Sequence, residues 1–235
     1  MVDEPLNSSV VELSRSAVAG KPYLVSEVNH PFPAEYAAEG VPILTAYAAF
    51  QDWDGVFWYT FEHASPDAWR PKQGGHFDLR ADPVKMAQVA AGAFVFLRGG
   101  VKAAQRTVLR GYSREQVLDS LRLTNKERPY FAPGFALRLP LEHASRIASF
   151  ERAQAATSAG EGEPIRSDAG ELAWHRKPGA ASVDTERTQM LAGFLGSRSI
   201  STKNLSAKLE NRFAALQLTS LDGRARGEHG NGVEH

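Results

Sequence analysis

Residues 20–61, GKPYLVSEVNHPFPAEYAAEGVPILTAYAAFQDWDGVFWYTF, carry the reading of the fold. Residues 23–27 form a short apolar run between Lys21-Pro22 and Asn29-His30-Pro31-Phe32-Pro33. That pattern predicts a buried strand followed by a rigid loop. Tyr36, Gly40, Ile43, Tyr47 and Phe50 then fall at spacings of four, three, four and three. They predict a core-facing helix with Pro42 in its first turn, where a missing N–H costs little. Residues 56–61, VFWYTF, read as a second strand, aromatic and β-branched. Two apolar strands joined by a helix predict a parallel βαβ unit covered on both faces.

Outward from this stretch, residues 8–19 read as a helix with Ser8 or Ser9 as its cap and Gly20 ending it. A long loop is expected over 62–80, rich in Pro and Gly. Asp82-Pro83 then opens a helix whose expected buried stripe is Met86, Val89, Ala93, Phe96 and Leu97, closed by Arg98-Gly99. Residues 101–110 suggest a strand. Residues 113–122 suggest a helix opened by a Ser113/Gln116 capping box, and 141–150 a further short helix. Residues 153–163 are small and polar, a linker pattern. From 165 to 221 short apolar segments alternate with turns, an antiparallel β pattern, and the tail has no apolar periodicity. The expected organisation is a βα segment over 1–110, a helical connection and linker over 111–163, an antiparallel β domain over 164–223 and a disordered tail over 224–235.

Composition narrows the function classes. The chain has 235 residues, 43% of them hydrophobic and 23% charged, which suits a globular protein. The 27 basic and 27 acidic residues cancel, so the excess that nucleic-acid binders carry is missing. Cysteine is absent, which removes disulfides, thiolate metal sites and a Cys nucleophile. No apolar run reaches membrane-spanning length, so neither a nucleic-acid nor a membrane partner is expected. Met1-Val-Asp-Glu-Pro lacks the pattern expected of a signal peptide, and Gly-x-Ser-x-Gly does not occur.

The chemistry is expected where the strands end. Glu27 closes the first strand, and Glu62-His63 follow the second. In βα barrels, residues at C-terminal strand ends face the active site. Glycoside hydrolysis is one reaction that needs carboxyl groups there, two of them flanking the scissile bond.

Val25-Ser26-Glu27 with Asn29-His30-Pro31 resembles the seventh barrel strand of clan A glycoside hydrolases, retaining enzymes on a (β/α)8 barrel. Gln51-Asp52-Trp53-Asp54-Gly55 and residues 56–61 resemble the following helix end and eighth strand, and residues 82–99 the last barrel helix. Ser167-Asp168-Ala169-Gly170-Glu171-Leu172, residues 184–189 and residues 219–223 resemble a β-sandwich attached to such barrels. The resemblance implies a partial TIM-barrel segment of two βα units followed by an antiparallel β-sandwich-like domain, an α/β plus β fold. It implies retaining hydrolysis of a β-glycoside, with Glu27 as the nucleophile, Asn29 and His30 near the substrate, and no cofactor. The family's first six strands, and the Asn-Glu pair that supplies its acid/base, have no counterpart here. The expectation is therefore the C-terminal portion of a larger hydrolase begun at an internal Met. Such a chain would be cytoplasmic as expressed, its parent secreted or periplasmic.

Two further readings stand beside this one. His30, His63 and His76, with Glu27, Glu62, Asp52, Asp54 and Asp78, fall near loop ends on one side of the βα segment. Such a set suits zinc or manganese and a metal-assisted ester or phosphoester hydrolase acting on a small ester substrate. The third reading is a non-catalytic carbohydrate-binding or assembly fragment, with Trp69 of the long loop as a sugar platform. Two parallel strands also leave open edges and an uncovered face, which predicts self-association, most simply as a dimer.

Overall fold

The computed structural model describes residues 1–122, 132–154, 159–196 and 200–221. It is a mixed α and β structure with an antiparallel sheet of five strands. The expected tail after Gly223 and residues 155–158 of the expected linker lie outside the described residues.

The first helix, α1 (Ser9–Ser14), is capped by the Ser8 hydroxyl, which accepts from the Val11 amide at 3.5 Å. It is shorter than expected. The Ser14 and Ser16 hydroxyls donate back to the Val10 and Leu13 carbonyls, a bonding mode that weakens helix continuation. Residues 17–19 then turn extended and pair with Ile147 through bonds of 2.7 and 2.9 Å.

The expected βαβ unit is present. Strands β1 (Leu24–Val28) and β2 (Gly55–Trp58) pair in parallel, with Val25 opposite Val56 and Val28 opposite Trp58. Helix α2 (Gly40–Phe50) joins them and is buried almost all round, from Gly40 to Phe50. Coverage on both faces does not follow. Of β1 only Val25 is buried, while Leu24 is 53% and Phe57 59% exposed. The second strand ends early because residues 60 and 61 bond to the 77–80 segment instead. The Thr60 amide donates to Phe77 O, and the Leu79 amide to Thr60 O, both at 2.9 Å.

Helix α3 (Pro83–Leu97) begins where expected. Asp82 Oδ1 accepts from the Val84 and Lys85 amides at 3.1 and 2.9 Å. Its buried face differs from the expected stripe. Lys85, Gly92 and Val95 are buried, Ala93 is exposed, and Leu97 is 76% exposed. Lys85 occupies an inward position because its ammonium finds oxygen partners there. Gly92 lets α3 approach α2, since a Cβ at that position would sit 2.9 Å from Thr45 Cγ2.

A second parallel pair follows, β3 (Thr107–Gly111) with β4 (Ala144–Ser149). Helix α4 (Arg114–Ser120) lies between them and carries the expected capping box, both Ser113–Gln116 bonds being formed. The helix expected over 141–150 is not there. A single turn, α5 (Leu139–Glu142), gives way to β4, whose backbone meets β3 on one side and residues 17–19 on the other. Those sheet partners outweigh a local spacing that suits either structure.

The C-terminal strands are β5 (Ile165–Arg166), β6 (Leu172–His175), β7 (Ala180–Asp184), β8 (Thr188–Gly193) and β11 (Ala214–Thr219). They form one antiparallel sheet in the order β11-β8-β7-β6-β5. A small ribbon, β9 (Ile200–Ser201) and β10 (Ser206–Ala207), packs Ala207 with Leu191 and Leu195. The remaining core is continuous from the α/β segment into this sheet. It contains Val10, Ile43, Tyr47 and Phe50 together with Leu172, Trp174 and Met190. Trp174 is fully buried, its ring 5.7 Å from that of Tyr47, and its indole N–H donates to Val2 O at 3.2 Å. Among the described residues no helix is long and apolar enough to cross a membrane.

Candidate functional site

A cleft of 360 Å³ opens where β1 and β2 end. Glu27, Asn29, Tyr59 and Phe77 line it, and Glu12 of α1 lines it from the other side. Glu27 is exposed, and no hydrogen bond or ion pair to another described residue engages its carboxylate. Glu12 lies 3.8 Å from the Arg15 guanidinium. A larger groove of 640 Å³ lies by Glu163, His175, Arg176 and Lys177, near the β6–β7 turn. The smaller cleft is the candidate site because strand-end side chains of both parallel strands converge there.

Asn29 braces the site. Its amide donates to Tyr59 O and Phe77 O, both at 2.8 Å, which joins the β1 end to the β2 end and to the 73–78 loop. Its Oδ1 accepts from Lys85 Nζ at 3.3 Å. The same ammonium donates to His30 O at 2.6 Å and lies 3.4 Å from Asp82. A buried Lys needs such oxygen partners, because an unpaired buried charge is costly. Lys85 thus anchors the loop that follows Glu27. His30 is half-buried against α2, where a Cβ on Gly40 would come 1.9 Å from His30 Nδ1. Burial is the main cause that pushes the His30 imidazole below the ordinary histidine value. The N-terminal ammonium and Lys85 reinforce it, and Glu39 opposes it.

The loop over 62–80 presents a second arrangement. His63 Nδ1 and Asp78 Oδ1 are 2.5 Å apart, and His63 Nε2 lies 3.1 Å from the Tyr59 hydroxyl. Asp78 is 1% exposed, while the His63 side chain is 47% exposed. Asp78 also accepts from the His63 amide at 3.1 Å and the Gly75 amide at 2.5 Å. Glycine suits positions 74 and 75 because a Cβ on either would approach Asp78 Oδ2 to 3.0 Å. Burial alone would raise the Asp78 pKa. Hydrogen bonds from His63, Glu62 and the two amides outweigh it and hold the carboxyl below the usual carboxylate range. Glu62 pairs with Arg80 at 2.9 Å. The Tyr59–Thr60 peptide is cis.

The histidines singled out from the sequence therefore occupy three different settings. His30 packs on α2, His63 joins Tyr59 to Asp78, and His76 donates from Nδ1 to Phe32 O at 2.8 Å. Among the described residues no group of three or more His, Asp or Glu side chains is placed to hold a metal ion. Trp69 does not line the Glu27 cleft. Its indole N–H donates to Ala64 O at 2.9 Å, and the Arg80 guanidinium lies 5.0 Å from its ring centre. Glu12, Tyr59 and Phe77 were not legible as site residues. The Tyr59–His63 spacing of four was the one available signal, and it is read as helical only inside a helix. Comparison with known protein families, with characterised proteins and with solved structures finds no match to this chain.

Proposed function

We propose that this chain takes a carbohydrate into the Glu27 cleft and hydrolyses a β-glycosidic bond with retention. Glu27 attacks the anomeric carbon, and the β1–α2–β2–α3 segment corresponds to two βα units of a clan A barrel. The observation that carries the reading is Glu27 itself. It stands at the C-terminal end of a parallel strand, lines the cleft, and is engaged by no other described side chain or amide. A carboxylate in that state is able to attack an electrophilic carbon. The Tyr59 and Phe77 rings beside it, with centroids 6.0 Å apart, offer apolar area to the C–H face of a sugar. The reaction needs no cofactor.

The test is turnover of a panel of chromogenic β-glycosides by the whole chain. Glu27→Gln removes charge with little change of volume and is expected to lower kcat by at least ~10³-fold. Azide is expected to restore part of the rate to Glu27→Gly by occupying the vacated volume as an external nucleophile. Full activity in Glu27→Gln rules out the nucleophile assignment. Sugar binding without turnover in the unaltered chain favours a binding module instead.

A further inference from the structure

Cleaving a glycoside needs a proton for the departing oxygen as well as a nucleophile. Glu12 shares the cleft, with the Arg15 guanidinium 3.8 Å from its carboxylate. The other oxygen acid there is the Tyr59 hydroxyl, and it is not alone. The imidazole of His63 stands behind it, and the buried carboxylate of Asp78 stands behind His63.

This order has a chemical consequence. Asp78 is acceptor-only, so His63 Nδ1 carries the proton between them. Nε2 is thereby assigned to Tyr59, as acceptor when the imidazole is neutral and as donor when it is charged. The same logic orients the histidine of a hydrolytic triad, with a phenol in place of the serine. Burial separates the carboxylate from the two groups it orients, the His63 side chain being 47% exposed. Asp78 is 1% exposed, whereas Tyr59 is 38% exposed and lines the cleft. Asp78 is the carboxylate in contact with His63, and the adjacent Glu62 pairs with Arg80 at 2.9 Å.

We propose that Tyr59 is the acid/base of the Glu27 cleft, with His63 and Asp78 as the relay that supplies and recovers its proton. The proposal rests on the reading of Glu27 as nucleophile. In the first step the Glu27 oxygen bonds to the anomeric carbon, and the bond from that carbon to the leaving oxygen breaks, its electron pair going to the oxygen. Starting from the charged imidazole, Tyr59 gives its hydroxyl proton to that oxygen as His63 Nε2–H gives its proton to the Tyr59 oxygen, which leaves His63 as the neutral Nδ1–H form. In the second step water attacks the glycosyl carbon and its proton goes to Tyr59, whose own proton returns to His63 Nε2. The carbon–Glu27 bond breaks, and the starting charges are restored. Asp78 keeps its hydrogen bond to Nδ1 throughout. Tyr59 is the catalytic residue in this scheme, and His63 and Asp78 are positioning residues.

The experiment compares two leaving groups on the whole chain, a dinitrophenyl β-glycoside that departs unaided and an alkyl β-glycoside that needs protonation. Tyr59→Phe and His63→Gln are expected to lose ~10²-fold or more on the alkyl substrate. On the dinitrophenyl substrate kcat/KM, which reports the first step, should stay within about threefold of the unaltered chain, while kcat falls on both substrates because the second step loses its base. Glu27→Gln should lose both. Equal losses of kcat/KM on the two substrates, or none, overturn the role of Tyr59. So does a leaving-group-selective loss in Glu12→Gln. Retained activity in Glu27→Gln, or a chain inactive on every glycoside, overturns the nucleophile reading and the proposed reaction with it. The relay itself is read without turnover, from the ¹⁵N shifts of His63 at a pH where the imidazole is neutral. The Nδ1–H tautomer is expected, with a move toward Nε2–H in Asp78→Asn. An Nε2–H tautomer in the unaltered chain overturns the relay whatever the kinetics show.

Discussion

Replacing Gln51 by Met should cost this fold more than any change of equal volume on its surface. Gln51 ends α2 and is fully buried. Its Nε2 donates to the carbonyls of Pro140 and His143, both at 2.7 Å, and its Oε1 accepts from the Ser145 amide at 3.1 Å. These bonds reach 89 to 94 residues along the chain and clamp the start of β4 to the βαβ unit. Met preserves volume and removes all three. At about 0.5–1.5 kcal/mol net for each bond, the loss is about 1.5–4.5 kcal/mol. Leaving two carbonyls and an amide unsatisfied in the interior pushes it toward the upper end, about 3–5 kcal/mol. For a chain of this size that lowers Tm by roughly 6–20 °C. Urea denaturation followed by tryptophan fluorescence gives the free energy, and calorimetry gives Tm. A loss below about 1 kcal/mol would refute the clamp, because it would mean water or a rearranged backbone satisfies those groups at no cost.

Two other outcomes follow from the same structure. Burial is the largest cause that pushes both His30 and His175 below the ordinary histidine value, so the folded state resists protonating them. The unfolded chain then binds more protons at acid pH, and stability should be complete above the ordinary histidine value of about 6.5 and fall below it. Tm measured between about pH 7 and pH 5 should decline, less steeply in His30→Gln, and a flat profile contradicts the assignment. Separately, Leu24 and Phe57 lie exposed on the β1–β2 pair, and covering such side chains by self-association gains roughly 1.5–3 kcal/mol for each one fully buried. Light scattering should give at least twice 25.6 kDa, and Phe57→Glu should halve it; a folded monomer at micromolar concentration refutes this.

The parts of the fold that were legible in the sequence are those where one local signal acts alone. Asp82-Pro83 and Ser113/Gln116 open their helices because a cap is satisfied by the three residues that follow it. The parallel β1–α2–β2 order follows from apolar runs of contrasting period. What was not legible depends on distant partners. Residues 144–149 became a strand because β3 and residues 17–19 lie on either side. The buried face of α3 turned because Lys85 finds Asn29 and His30 oxygens more than 50 residues away. Glu27 was legible as a strand-end carboxylate. His63 and Asp78 were visible as titratable loop residues, but nothing in their spacing told that they would bond to each other and to Tyr59.

The central claim is that Glu27 forms a covalent bond with the sugar. The most direct measurement is mass spectrometry of the chain after incubation with a 2-deoxy-2-fluoro β-glycoside carrying a good leaving group. That substrate slows breakdown of the intermediate more than its formation. The account predicts one glycosyl adduct per chain, carried by the peptide that contains Glu27 and absent in Glu27→Gln. Turnover of the unfluorinated glycoside with no adduct on Glu27, or an adduct on another residue, would contradict it.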